Sequence, residues 1–169
     1  MDNMTESLTE LLTKISSYNI FNNLVPGVVF SYMMDLVGIY TVSTGSLLTN
    51  LFVFYFIGVV ISRVGSIFIE PVLKSVRIVK YSDYSSYLSA CDKDHKIPVL
   101  VEENNQYRTY ISMLFMVVSA IAVKWAMERY SVPAASVKFV IIGVLLVMFV
   151  LAYRKQTSFI RRRVERHTK

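Results

Sequence analysis

Four long apolar segments, separated by short or charged connections, constrain this chain more than any other feature. They cover residues 21–40, 47–69, 109–127 and 137–153. At about 1.5 Å per residue, helices of these lengths approach or match the roughly 30 Å hydrocarbon core of a bilayer. The sequence therefore predicts an all-α integral membrane protein with four transmembrane helices, arranged as two hairpins with a small cytoplasmic helical cap.

The first and second segments each contain a charged residue. Asp35 interrupts the first segment, which also holds the helix-weakening pair Pro26-Gly27. The second segment carries no charge from Leu47 to Ser62 and then continues past Arg63. For the first segment a full span is the preferred interpretation, and a re-entrant hairpin is the alternative.

The composition agrees with a membrane protein. Hydrophobic residues make up 54% of the 169 residues, with a mean hydropathy of +0.47, while 18% of residues are charged. Soluble chains usually hold about 45–50% apolar residues. The pattern excludes an ordinary soluble enzyme, a disordered chain and a disulfide-stapled secreted module. The single cysteine, Cys91, lies in a charged stretch and fits a reducing cytoplasm, and the acidic start of the chain lacks the basic region of a signal peptide.

The basic residues predict the topology. The segment 70–108 carries six lysines and arginines and residues 154–169 carry seven, whereas the connection 41–46 has none and 128–136 has one. Because basic residues are retained on the cytoplasmic side, both termini and the middle segment are expected in the cytoplasm. The expected location is a bacterial inner membrane.

The chain divides into five predicted parts. An amphipathic interfacial helix over 1–19 precedes a first transmembrane hairpin over 20–69. A cytoplasmic helical segment follows over 70–108, then a second hairpin over 109–153 and a basic cytoplasmic tail over 154–169. Two prolines mark expected breaks: Pro71, after Glu70, as a joint between membrane and cap, and Pro98, with helix resuming from Glu102.

Charged residues at membrane depth are candidates for function, because each costs at least about 2.5–3.5 kcal/mol at the bilayer centre. They are Asp35, Arg63, Lys124 and Lys138. Asp35 shares a depth with both lysines, so it either pairs with one of them or forms a local hydrogen bond while the lysines extend to the interface. Arg63 either joins a polar knot with Asn22 or Asn23, or contacts lipid headgroups.

Small residues recur at helical spacing on two of the predicted spans. The second span carries Gly58, Ser62 and Ser66, and the third carries Ala122 and Ala126. Such stripes let helices approach closely, either within one subunit or between subunits. They contribute to the expectation of a homo-oligomer.

Two polar surfaces suggest partners. The segment 70–108 has balanced charge and several tyrosines, which favours a cytosolic protein over nucleic acid, and its predicted docking residues are Glu102, Asn105, Tyr107 and Arg108. Beyond the last span, a basic group is predicted to contact anionic lipids, because each lysine or arginine at such a surface contributes about 1 kcal/mol. Its members are Arg154, Lys155, Arg161, Arg162 and Arg163.

No pattern for enzymatic chemistry occurs. The chain lacks the GxGxxG, Walker A, HExxH and GxSxG motifs. His95 and His167 are far apart and have no cysteine nearby that would complete a zinc site. The sequence therefore predicts a non-enzymatic protein with no cofactor and no metal.

The plan of two hairpins, a cytoplasmic cap and a basic tail resembles the small four-span membrane subunits of bacterial phage-defence operons, such as the Kiwa membrane component. Two distinctive stretches accompany this plan, RVGSIFIEP at 63–71 and ENNQYR at 103–108. The resemblance implies a homo-oligomeric sensor or scaffold that holds a cytosolic effector. It assigns no functional residue.

Two functions follow as hypotheses. The first is an oligomeric membrane sensor or scaffold that docks a cytosolic effector in anti-phage defence. The alternative is an oligomeric pore that depolarises the membrane, with Asp35, Arg63 and Lys124 lining the polar pathway.

Overall fold

The computed structural model describes residues 20–94 and 96–167, and every regular element within them is a helix. The all-α fold class is therefore confirmed for this part of the chain. The predicted amphipathic helix over 1–19 lies outside the described residues. The chain divides into two compact units, Met1–Ile61 and Ser62–Lys169.

The first unit contains helix α1, over residues 20–36, and most of helix α2, Leu47–Val64. Helix α1 ends where Gly38 adopts a left-handed conformation with φ of 64°. The backbone N–H of Gly38 donates to Asp35 at 2.9 Å, and that of Ile39 donates to Met34 at 2.9 Å. This pair of hydrogen bonds is a Schellman motif, which satisfies carbonyls that the end of the helix leaves without partners.

Helices α1 and α2 are antiparallel and touch through their backbones at two glycines. A Cβ atom on Gly27 would lie 1.8 Å from the carbonyl oxygen of Phe54, and one on Gly58 would lie 1.6 Å from that of Asn23. No side chain fits at either position, so the close approach depends on glycine. Gly58 belongs to the small-residue stripe recognised in the sequence, whereas Gly27 was not included in it.

The second unit contains the end of α2, a π-helical turn at Gly65–Ile69, and helices α3, Glu70–Ser75, and α4, Tyr84–Cys91. It is completed by two long helices, α5 at Lys96–Tyr130 and α6 at Ala134–His167. A connection of three residues, 131–133, joins α5 to α6. Ser131 has a φ of 50°, and the N–H of Val132 donates to Met127 at 3.1 Å, so α5 also closes with a left-handed residue.

Neither predicted proline break occurs. The chain passes from α2 through the π-turn into α3, and the N–H of Glu70 donates to Gly65, five residues back. Pro71 lies within this continuous helical stretch and has no N–H to donate, yet the stretch ends only at Ser75. Pro98 lies in the first turn of α5, where no N–H is needed, so that helix begins at Lys96 and not at Glu102.

Three of these helical stretches are long and apolar enough to cross a membrane: Leu47–Ser75, Lys96–Tyr130 and Ala135–Glu165. They correspond to the second, third and fourth predicted spans, and they are compatible with a multi-pass membrane protein. The first predicted span corresponds to α1, of which residues 20–36 are described. The four-span count stays a prediction.

Helix α4 lies in the middle segment, for which a small helical cap was predicted, and we call α4 the cap. The carboxylate of Asp83 accepts a hydrogen bond from the N–H of Ser85 at 3.0 Å and so caps the start of α4. This hydrogen bonding, together with that from the Ser85 hydroxyl, holds the pKa of Asp83 below its usual value. Leu88 is buried, and the ring of Tyr84 lies 5.7 Å from that of Phe159 on α6.

Candidate functional site

The most concentrated polar arrangement in the second unit surrounds the buried carboxylate of Glu70. Three cations bind it: Lys74 Nζ lies 2.8 Å from Oε1, Arg108 Nη1 lies 2.8 Å from Oε2, and Lys155 Nζ lies 3.1 Å from Oε2. The Glu70 side chain is only 10% exposed. We call these four residues the Glu70 cluster.

The Glu70 cluster joins three helices. Glu70 and Lys74 are four residues apart on α3, while Arg108 comes from α5 and Lys155 from α6. Because both oxygens of the carboxylate are used, the arrangement satisfies a group that would be costly to bury alone. Removing one partner of a buried ion pair typically destabilises a protein by about 3–5 kcal/mol.

The position of the Glu70 cluster along the hairpin matches the thickness of a bilayer. Arg108 lies 22 residues before Tyr130, and Lys155 lies 21 residues after Ala134, so both are equally far from the α5–α6 connection. At about 1.5 Å per residue this distance is about 32 Å. A hydrocarbon core of about 30 Å therefore ends close to the cluster when the connection lies at the opposite surface.

Lys155 also binds the main chain of the π-turn. Its Nζ donates to the carbonyl oxygen of Ser66 at 2.7 Å and to the Ser66 hydroxyl at 2.9 Å. In the π-helical register, the N–H that would reach the Ser66 carbonyl belongs to residue 71, five positions later, and residue 71 is proline. The ammonium group of Lys155 thus supplies a donor that the backbone lacks.

Gly65 allows α5 to approach the π-turn closely. A Cβ atom at Gly65 would lie 3.3 Å from both the carbonyl oxygen of Arg108 and the Cβ of Ser112. Thr109 and Ser112, on the facing side of α5, are buried. Gly65 lies seven residues after Gly58, and this spacing, which keeps two residues on one helix face, is the signal that could have identified it.

A second layer of contacts connects the Glu70 cluster to the cap. Lys74 Nζ lies 4.0 Å from the centre of the Tyr81 ring, which is cation–π geometry. The amide of Asn104 on α5 donates to the Tyr81 hydroxyl at 3.3 Å. Tyr81 therefore connects the segment between α3 and α4 to the N-terminal part of α5.

Within α4, Tyr87 is the residue with the most altered acidity. A hydrogen bond to Cys91, one turn later, raises the pKa of Tyr87 to about 12. The Tyr84 and Tyr87 rings lie 6.2 Å apart, so the aromatic side chains of α4 contact one another as well as α6. The Tyr87 side chain is therefore neutral throughout the physiological pH range.

Two residues that were predicted to lie at the surface have a partner within the chain. Arg108 was placed in the docking set and Lys155 in the lipid-contact set, yet both reach Glu70 inside the chain. Their side chains are 17% and 31% exposed, respectively. The sequence interpretation treated each basic residue separately and gave the buried Glu70 no partner on another helix, while the docking role of Arg108 and the lipid contact of Lys155 stay predictions.

The remaining predicted docking and lipid residues are at least partly accessible. Tyr107 is exposed, and Glu102 and Asn105 are half-buried on α5. The exposed arginines on the last part of α6 are Arg154, Arg161, Arg162 and Arg163. Arg161 lies 3.4 Å from Glu165, one turn later on the same helix.

The charged residues predicted at membrane depth differ in their exposure and local contacts. Asp35 accepts a hydrogen bond from the hydroxyl of Thr41, which is the local alternative foreseen for it. Arg63 is exposed in the last turn of α2, Lys124 is half-buried on α5, and Lys138 is exposed in the first part of α6.

The predicted packing residues behave unequally. Gly58 contacts α1 directly, and Ser66 serves as an acceptor for Lys155. Ser62 and Ala126 are half-buried, while Ala122 is exposed. Of these residues, Gly58 therefore makes a backbone approach that no side chain would allow.

Comparison of the chain with models of protein families, with curated proteins and with solved structures finds no match.

Proposed function

We propose that this chain is a non-enzymatic, homo-oligomeric four-span protein of a bacterial inner membrane, with both termini in the cytoplasm. Its function is to sense a disturbance of the membrane and to dock a cytosolic effector, in anti-phage defence as the resemblance implies. The observation that supports this proposal best is the Glu70 cluster, because one buried carboxylate links three helices at the predicted membrane boundary.

The Glu70 cluster gives membrane helices a physical connection to the cap. A displacement of α5 or α6 relative to α3 separates Arg108 or Lys155 from Glu70, and these bonds are 2.8 and 3.1 Å long. Lys74, bound to the same carboxylate, holds Tyr81 at the base of the cap. A change in helix arrangement therefore alters the contacts of the segment that leads into α4.

The proposed docking surface lies on the N-terminal part of α5. Tyr107 is 68% exposed and directly precedes Arg108, which points inward to Glu70. Exposed tyrosines are favoured at protein interfaces because they bury a large area at small entropic cost. Glu102 and Asn105 lie on the same stretch of helix and complete the proposed surface.

We expect the triple variant Glu102→Gln, Asn105→Ala and Tyr107→Ala to lose a cytosolic partner and to stay in the membrane. Affinity purification from the native host in mild detergent, followed by native mass spectrometry, measures both the partner and the number of subunits. Arg108 is left unchanged in this variant because its loss would disturb the Glu70 cluster.

Tyr130→Ala provides the matched control, because Tyr130 is also an exposed tyrosine but lies at the opposite end of α5. The control is expected to keep the partner at the level of the unmodified protein. Retention of the partner by the triple variant would contradict the proposed surface. A homo-oligomer with no soluble partner would instead favour the alternative function, an oligomeric pore, and bilayer conductance would then be measured.

A further inference from the structure

The charges of the Glu70 cluster do not balance. One carboxylate is surrounded by three cations, all within 3.1 Å of its oxygens, so two positive charges remain in excess. An excess of this kind at the edge of a low-dielectric region attracts an anion, because exposed water screens the charges only in part. The question is which of the three cations faces that anion.

Lys155 is satisfied within the chain. An ammonium group has three N–H donors, and Lys155 Nζ contacts three acceptors: the Ser66 carbonyl, the Ser66 hydroxyl and Glu70 Oε2. The excess charge that can act on another molecule therefore lies with Lys74 and Arg108.

Lys74 Nζ and Arg108 Nη1 bind different oxygens of the Glu70 carboxylate, each at 2.8 Å. Lys74 is the most accessible of the three cations, with 42% of its side chain exposed, and the Tyr81 ring at 4.0 Å keeps its ammonium group in place. Arg108 contributes a second fixed cation, whose side chain is 17% exposed. A lysine and an arginine that are held on one carboxylate are a suitable pair of cations for a tetrahedral oxyanion.

We propose that Lys74 and Arg108 form a binding site for a phosphate group. The predicted depth of the Glu70 cluster, at the edge of the hydrocarbon core, is where lipid phosphates lie. The phosphate belongs either to an anionic phospholipid or to a small phosphorylated molecule of the cytosol, since both present the same oxygens. This inference does not rest on the proposed docking function.

The test is lipid retention by the full-length protein in detergent, measured by native mass spectrometry during titration with phosphatidylglycerol. Lys74→Gln is expected to weaken retention about fivefold, whereas Lys74→Arg, which keeps the cation, is expected to preserve it. Lys80→Gln is the matched control, because Lys80 is an exposed lysine on the adjoining segment and its loss changes the net charge equally. We expect Lys80→Gln to retain phosphatidylglycerol as well as the unmodified protein does.

Competition with millimolar inorganic phosphate separates the two sources. Retention of phosphatidylglycerol in the presence of free phosphate supports a lipid ligand, and displacement supports a small cytosolic phosphate at the same site. Equal retention by the unmodified protein and by Lys74→Gln would overturn the proposal. An equal loss in Lys74→Gln and Lys80→Gln would also overturn it, because this result would show attraction to net charge alone.

Discussion

At the scale of single residues, the ends of three helices share one geometry but not one residue type. The left-handed position is occupied by Gly38 after α1, by Arg77 after α3 and by Ser131 after α5. At Arg77 the motif is complete, since Ile78 donates to Leu73 at 3.0 Å and Arg77 donates to Lys74 at 3.1 Å. An arginine with a φ of 61° carries a steric cost that glycine avoids.

We expect Arg77→Gly to stabilise the second unit by about 0.5–1 kcal/mol, because relief of the left-handed strain exceeds the added freedom of glycine in the unfolded chain. Thermal unfolding in detergent measures the change. Arg77→Ala removes the same charge but keeps the Cβ atom, so it is expected to give no such gain. An equal rise in both variants would assign the effect to charge and contradict the conformational argument.

The sequence contains the residues of the Glu70 cluster, yet their relation could not be predicted. Arg108 lies 38 positions and Lys155 lies 85 positions after Glu70 in the sequence, so no local periodicity connects them. In the sequence, Arg108 and Lys155 were counted among the basic residues that predict the membrane topology. Ion pairs between helices depend on rotation about each helix axis, which hydropathy patterns over uninterrupted apolar segments do not specify.

At the scale of elements, three of the four predicted spans correspond to helices that are long and apolar enough to cross a membrane. The boundaries were less predictable: α5 begins at Lys96 and α6 extends to His167, beyond the apolar segments at the ends away from the α5–α6 connection. Both extensions carry polar residues, whose helical state depends on contacts such as Tyr81 with Asn104 and Tyr84 with Phe159. Such contacts are tertiary and leave no regular pattern in the sequence.

Helix pairing provides a prediction at this scale. We expect Gly58→Ala to destabilise the α1–α2 hairpin by about 1–3 kcal/mol or more, because the added Cβ meets a backbone carbonyl that cannot rotate away. Gly143→Ala is the matched control: nothing lies within 4 Å of the position of its Cβ, and alanine favours helix by about 1 kcal/mol over glycine.

Thermal stability and monodispersity in detergent report on both glycine variants. Loss of stability confined to Gly58→Ala is the expected result. If Gly143→Ala were equally disruptive, Gly143 would have to pack against another molecule, and the hairpin would not be the specific cause of the loss.

At the scale of the whole molecule, the topology remains the prediction with the broadest consequences. We expect Cys91, the single native cysteine, to react with a membrane-impermeant maleimide only after spheroplasts are permeabilised, because the cap is predicted in the cytoplasm. In a Cys91→Ala background, Ser136→Cys near the α5–α6 connection is expected to react in intact spheroplasts. The opposite pattern would reverse the assigned orientation.

A third position decides the number of spans. Asn3→Cys in the same background is expected to be protected in intact spheroplasts, since four spans place the start of the chain on the same side as Cys91. Labelling of this cysteine from outside would show that the first apolar segment enters and leaves the membrane on one side. The two interpretations of this segment are thereby separated without reference to function.

The π-turn at Gly65–Ile69 has a further consequence for how this chain tolerates change. It acts as one extra residue within an otherwise regular helix, and each residue of an α-helix turns the following chain by about 100°. Removal of one residue here would return the turn to α-helical spacing and, in the same step, rotate Glu70 by about a quarter turn, away from Arg108 and Lys155. The spacing between Gly65 and Glu70 is consequently under stricter control than the identity of the residues between them, and length variation is expected in the connections and not in this stretch.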